Sequence, residues 1–162
     1  MLEHLDLANY TVNELVNWKI DDALYRQFVL SPVIENPLNL APNLNLNPST
    51  ELNWRRALWE NFYPRVRHEN TTSDAAVIVA RFLRQRVTLA PNQPKQPGVV
   101  SSWNGHIVNL EDFEMLYTAA LRSVGVPARL NGNSQAEFWN GSQWEAAPRP
   151  LATTWVEGKA KG

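Results

Sequence analysis

Apolar residues recur at three- and four-residue intervals in the stretch "NLEDFEMLYTAALRSVGVPARL", at Leu110, Phe113, Leu116 with Tyr117, Ala120 with Leu121, and Val124. This period predicts a helix with one broad buried face over 110–124. Both of its ends are encoded locally. Asn109 can cap the first turn, and Asp112 stands at the third helical position, where a carboxylate complements the helix dipole. Gly125 supplies a left-handed residue just past the end, and Pro127 forbids continuation. The chain then leaves in the extended "PARL", after which "AEFW" and "QWEAA" flank "NGS", a strong hairpin signal. A central helix followed by a small antiparallel sheet predicts an α+β fold.

Upstream, residues 11 to 30 carry two short helical patterns, the second being "DDALYRQFVL" with acids in its first turn and Pro32 beyond it. The next stretch, "PLNLAPNLNLNPST", alternates leucine and asparagine between prolines. It reads as an extended strap with Leu38, Leu40, Leu44 and Leu46 on one side. From Ser49 or Thr50 as cap, Trp54, Leu58 and Phe62 at four-residue spacing predict a helix that stops before Pro64. Another follows from Thr71, with Ala76, Ala80, Leu83 and Val87 on one side, and "APNQPKQPG" must then be a loop. The whole reads as a single domain: an N-terminal helical part and strap over 1–48, a core over 49–150, and a tail over 151–162.

Composition narrows the function classes. A chain of 162 residues with 44% hydrophobic and 19% charged residues belongs to a folded globular protein. A net charge of -1 excludes a simple polycation, although Arg81, Arg84 and Arg86 fall close together and leave a local basic face open. Cysteine is absent, so thiol nucleophiles and thiolate metal sites are excluded. No signal peptide or membrane-spanning stretch is legible, and the compartment stays open, extracytoplasmic if a signal was removed. The sequons at Asn9, Asn70 and Asn140 carry little information, because such tripeptides arise by chance.

The motifs "EDF" at 111–113, "LRSVGVPARL" at 121–130, Glu137, "GSQW" at 141–144 and Pro148 together resemble the transglutaminase-like domain of the papain-like fold. The upstream "ARFLRQRVTLAP" resembles the helix that precedes that family's nucleophile. The resemblance implies a core in which the central helix packs on the small antiparallel sheet, with N-terminal helices around it. It also implies a Cys at the start of that helix, a His opening the next strand and an Asp just before a Pro. Those positions hold Leu110, Gln135 and Ala147. Leucine offers no lone pair, glutamine exchanges no proton near neutral pH, and alanine orients nothing, so acyl transfer by this route is lost. The sequence thus predicts a pseudoenzyme without cofactor, acting as a binding or structural module toward protein or glycan. Leu110 is expected to extend the buried stripe and fill the space of the lost thiol.

Other chemistry is thinly supported. His4, His68 and His106 show no ligand spacing, and there is no HExxH motif or phosphate-cradling glycine loop, so no metal site is predicted. The cluster "SSWNGH", read as a loop, sets Ser101 and Ser102 near His106, with Glu111, Asp112 and Glu114 following. It is the alternative enzyme reading, a relocated Ser/His hydrolase or acyltransferase site. Trp103, His106, Glu137 and Trp139 are candidate walls of a remnant cleft. Trp103 could equally plug the core, and Trp139 could pair with Trp144 across the strands. Nucleic-acid binding is a third reading, because degenerate domains of the resembled family occur in DNA-damage recognition proteins. Acids interleaved with the arginines count against it.

Overall fold

The computed structural model describes residues 2–34 and 54–148. The strap, the cap at Ser49 or Thr50 and the tail beyond 148 lie outside the described residues. Helix α1 (Leu2–Tyr10), which the hydrophobic pattern did not reveal, runs into a π-helical turn over Thr11–Leu15. There the Thr11 hydroxyl donates to the Leu7 carbonyl at 2.7 Å, competing for the acceptor that an α-helical N–H would use. Helix α2 (Asp22–Tyr25) is capped by Asp21, whose carboxylate accepts from the N–H groups of Ala23 and Leu24, and it too widens into a π-helical turn over Arg26–Leu30.

Helix α3 (Arg55–Val66) buries Trp54, Leu58 and Phe62 as their spacing predicts, but it does not stop before Pro64. A proline in the last turn forfeits one intrahelical hydrogen bond, and the helix extends two residues past it. Helix α4 (Thr72–Arg86) starts where Thr71 Oγ1 accepts from Asp74 N at 3.1 Å. Ala76, Ala80, Leu83 and Val87 lie in its buried face or at its end.

Two features escaped the sequence pattern. Strand β1 (Thr88–Leu89) pairs in parallel with β2 (Ile107–Val108), and a short helix α5 (Val99–Gly105) lies between them. "SSWNGH" is therefore largely helical and not a loop. A two-residue strand shows no alternation, so neither β1 nor β2 left a readable signal.

Helix α6 (Leu110–Ser123) is the centre of the molecule, packing against α3, α4, α5 and the sheet. Asn109 caps it, accepting from Asp112 N at 2.8 Å, and Gly125 follows its end at φ 86°. The antiparallel sheet β3 (Ala128–Leu130), β4 (Ala136–Trp139) and β5 (Trp144–Ala146) sets Ala128 opposite Phe138 and Trp139 opposite Trp144. Ala128, Leu130, Ala136 and Phe138 face the core, which is continuous with Phe113, Leu116, Tyr117, Ala120 and Leu121 of α6. Mixed helices with small sheets make an α+β fold.

The N-terminal part is clamped on by two buried arginines. Arg55 donates to the carbonyls of Arg122, Val29 and Leu30, and Arg122 donates to those of Ser31, Val33 and Ala128. Burial, reinforced by the neighbouring Arg122 charge, lowers the Arg55 guanidinium to about 9. The Trp18 indole donates to Gly125 O at 2.9 Å, tying the same segment to the turn that ends α6.

Candidate functional site

The positions at which the resemblance expects a nucleophile, an imidazole and a carboxylate hold Leu110, Gln135 and Ala147, and local structure decides where each goes. Leu110 is the first residue of α6, Gln135 immediately precedes β4, and Ala147 immediately follows β5. One hydrogen-bonded chain links their neighbourhoods. Ala147 N donates to Ala136 O at 3.1 Å, and Ala136 N donates to Glu114 Oε1 at 2.8 Å. Glu114 stands one helical turn beyond Leu110, about 6 Å along the axis and on the same side. A turn further on, the Tyr117 hydroxyl donates to Pro148 O. Glu114 of α6, the start of β4 and the residue after β5 are therefore joined at one end of the sheet.

Glu114 is the residue the sequence reading undervalued. Treated there as one acid among several balancing arginines, it is 1% exposed and fastens the helix to the sheet. Asp112 is likewise buried: it accepts from Gln96 N at 2.7 Å and pairs with Lys95. Burial raises its carboxyl above the usual value, opposed by the Gln96 N–H and by the Lys95 charge.

Leu110 does not fill a vacated thiol space. It is 51% exposed, and Ile107 beside it is 45% exposed. The reason is its position: side chains tilt toward the helix N-terminus, so the first residue of α6 points past the last layer that the sheet and α5 can cover. The buried stripe begins at Phe113 instead. Gln135 is also exposed, whereas Ala147 is buried.

Trp103 is 4% exposed, with its ring 5.5 Å from that of Phe62 and 6.3 Å from that of Phe82. It forms part of the core beneath Arg86, whose guanidinium lies 4.0 Å above it. His106 is exposed in a left-handed conformation at φ 66°, with Nδ1 3.4 Å from Arg86 O. Ser102 on α5 is 2% exposed and turned inward, so helix geometry separates its hydroxyl from the surface that bears His106. Glu137 pairs with Arg129 at 2.6 Å, and Arg129 stacks 3.9 Å over Trp144. Trp139 meets Trp144 edge to face across the hairpin at 5.7 Å.

The arginines of α4 do not form a single face. Arg84 and Arg86 are two residues apart and so about 200° apart around the axis. Arg81 is exposed on the outer side. Among the described residues no group of His, Asp and Glu is arranged to hold a metal ion, and no helix is long and apolar enough to cross a membrane. A shallow groove of about 510 Å³ lies elsewhere, between α1 and α3, lined by Asp6, Leu7, Tyr10, Arg56 and Trp59. No family model, curated protein or solved structure matches the chain.

Proposed function

We propose that the chain is a catalytically inactive transglutaminase-like domain, a binding or structural module whose working surface is the former catalytic end of the sheet. The reading rests on one observation. Glu114 in α6, Ala136 opening β4 and Ala147 after β5 are joined by hydrogen bonds, Leu110 lies one turn before Glu114, and Gln135 directly precedes Ala136. A nucleophile at the first turn of a helix, an imidazole opening the facing strand and a carboxylate beyond the next strand would suit acyl transfer. Leucine, glutamine and alanine at those positions supply none of the required proton or electron-pair chemistry.

The test is an assay of the purified chain for incorporation of a fluorescent primary amine into a glutamine-bearing protein, run beside a peptide-hydrolysis assay. Both are expected to stay at the buffer background. Turnover that a serine-directed reagent abolishes would replace this reading with the Ser101/His106 alternative.

A further inference from the structure

Among the described residues, several cations have a carboxylate partner, whereas Arg65 and Arg86 lie over aromatic rings without one. Arg26, Arg56, Lys95 and Arg129 each hold a carboxylate, at 2.8, 3.2, 2.9 and 2.6 Å. Arg65 and Arg86 hold aromatic rings instead: Arg65 lies 3.6 Å above Phe82 and Arg86 lies 4.0 Å above Trp103. Neither has a carboxylate within ion-pair distance among the described residues. Stacking covers one face of a guanidinium and fixes its plane; Arg65 Nη1 donates to Asn61 O at 3.1 Å and Arg86 Nε is buried, which leaves the remaining terminal N–H groups for an oxyanion at little further entropic cost. The Phe82 and Trp103 rings are themselves neighbours, which joins the two arginines into one strip.

That strip runs into the exposed apolar residues at the candidate site. Arg86 ends α4, its carbonyl meets His106, and β1 directly after it pairs with β2, setting Thr88 opposite Ile107. Leu110 follows three residues later. Two cations without a carboxylate partner among the described residues, in line with exposed Ile107 and Leu110, combine the charge and apolar character of a protein-recognition surface. We infer that the surface formed by Arg65, Arg86, Ile107 and Leu110 docks an acidic, amphipathic segment of a partner protein. This rests on the reading of the α6 N-terminus as a binding surface and not a catalytic one. Nucleic acid fits poorly, because the rings that could stack on bases already lie under guanidinium groups and Trp103 is buried, while Arg81 and Arg84 are turned away from the strip. A small free anion would make no use of Ile107 and Leu110.

The probe is a fluorescein-labelled synthetic peptide of alternating glutamate and leucine, titrated by anisotropy, with inorganic phosphate and oligothymidylate as competitors. Saturable binding is expected, weakened about tenfold by the double variant Arg65→Gln/Arg86→Gln and by added salt. A comparable loss is expected for Ile107→Ser/Leu110→Ser, whose positions are exposed. Circular dichroism melting confirms that each variant folds, and the exposed pair decides the matter if the arginine variant does not. Absence of saturable binding, indifference to both variants, or displacement by oligothymidylate or phosphate at equal charge would overturn the inference. The amine-incorporation assay on the unsubstituted chain separates the two failures. A peptide that does not bind an inactive chain removes only this inference, whereas turnover removes the reading beneath it.

Discussion

At the residue scale, several single positions carry consequences out of proportion to their size. Gly125 sits at φ 86°, and a Cβ there would meet Val16 Cγ1 at 3.2 Å, so it is required both by the turn and by the closely docked N-terminal segment. Gly125→Ala should destabilise the fold by about 1–3 kcal/mol, read as a lower urea midpoint. Asp112 gives a pH signature. Its carboxyl is raised in the folded state, so the folded protein binds that proton more tightly than the unfolded chain does. The associated stability is present below the unfolded value of about 3.8 and is lost as pH rises through the raised folded value. The stability of the unsubstituted chain minus that of Asp112→Asn should therefore fall as pH rises above about 3.8, and a rise in urea titrations would contradict the assignment. The same buried acids show where the sequence was mute. An acid in the first turn of a helix reads as a solvated partner of the dipole, and nothing in the order of residues says that Asp112 and Glu114 turn inward.

Elements were legible in proportion to their length. The fourteen residues of α6 and the fifteen of α4 carry several turns of apolar repeat and a side-chain cap each, and both start where the sequence places them. The hairpin of β4 and β5 was readable from its turn. The strands β1 and β2 and the helix α5 were not, because two residues hold no period and seven hold barely two turns. Helix α3 passes Pro64 because a proline near a C-terminus costs one bond and not a whole helix. The site depends on how α6 and β4 are joined, and this can be tested by Glu114→Ala. Loss of the carboxylate leaves the Ala136 N–H without that acceptor and should cost about 1–3 kcal/mol. Amide exchange at Ala136 should accelerate more than at Phe138, whereas equal acceleration would indicate general loosening.

At the scale of the whole molecule, α6 is a hub. Its apolar face holds α3, α4, α5 and the sheet, its Arg122 together with Arg55 holds the N-terminal segment, and its first turn opens on the exposed surface with Ile107 and Leu110. The sequence predicted the central helix and both of its ends. It could not predict that Leu110 would stand out in solvent, because exposure depends on where the covering layer ends and not on the helical period. In the proposed inactive module, Leu110 and the start of β4 face one another across a site without acyl-transfer chemistry. The most direct measurement is the pH dependence of iodoacetamide alkylation in the variant Leu110→Cys, alone and combined with Gln135→His. With an imidazole adjacent, the introduced thiol should titrate clearly below the value of about 8.5 for a free cysteine, and lower than in the single variant. Identical titration of the two variants would show that the positions do not face one another, and the proposed site would fall.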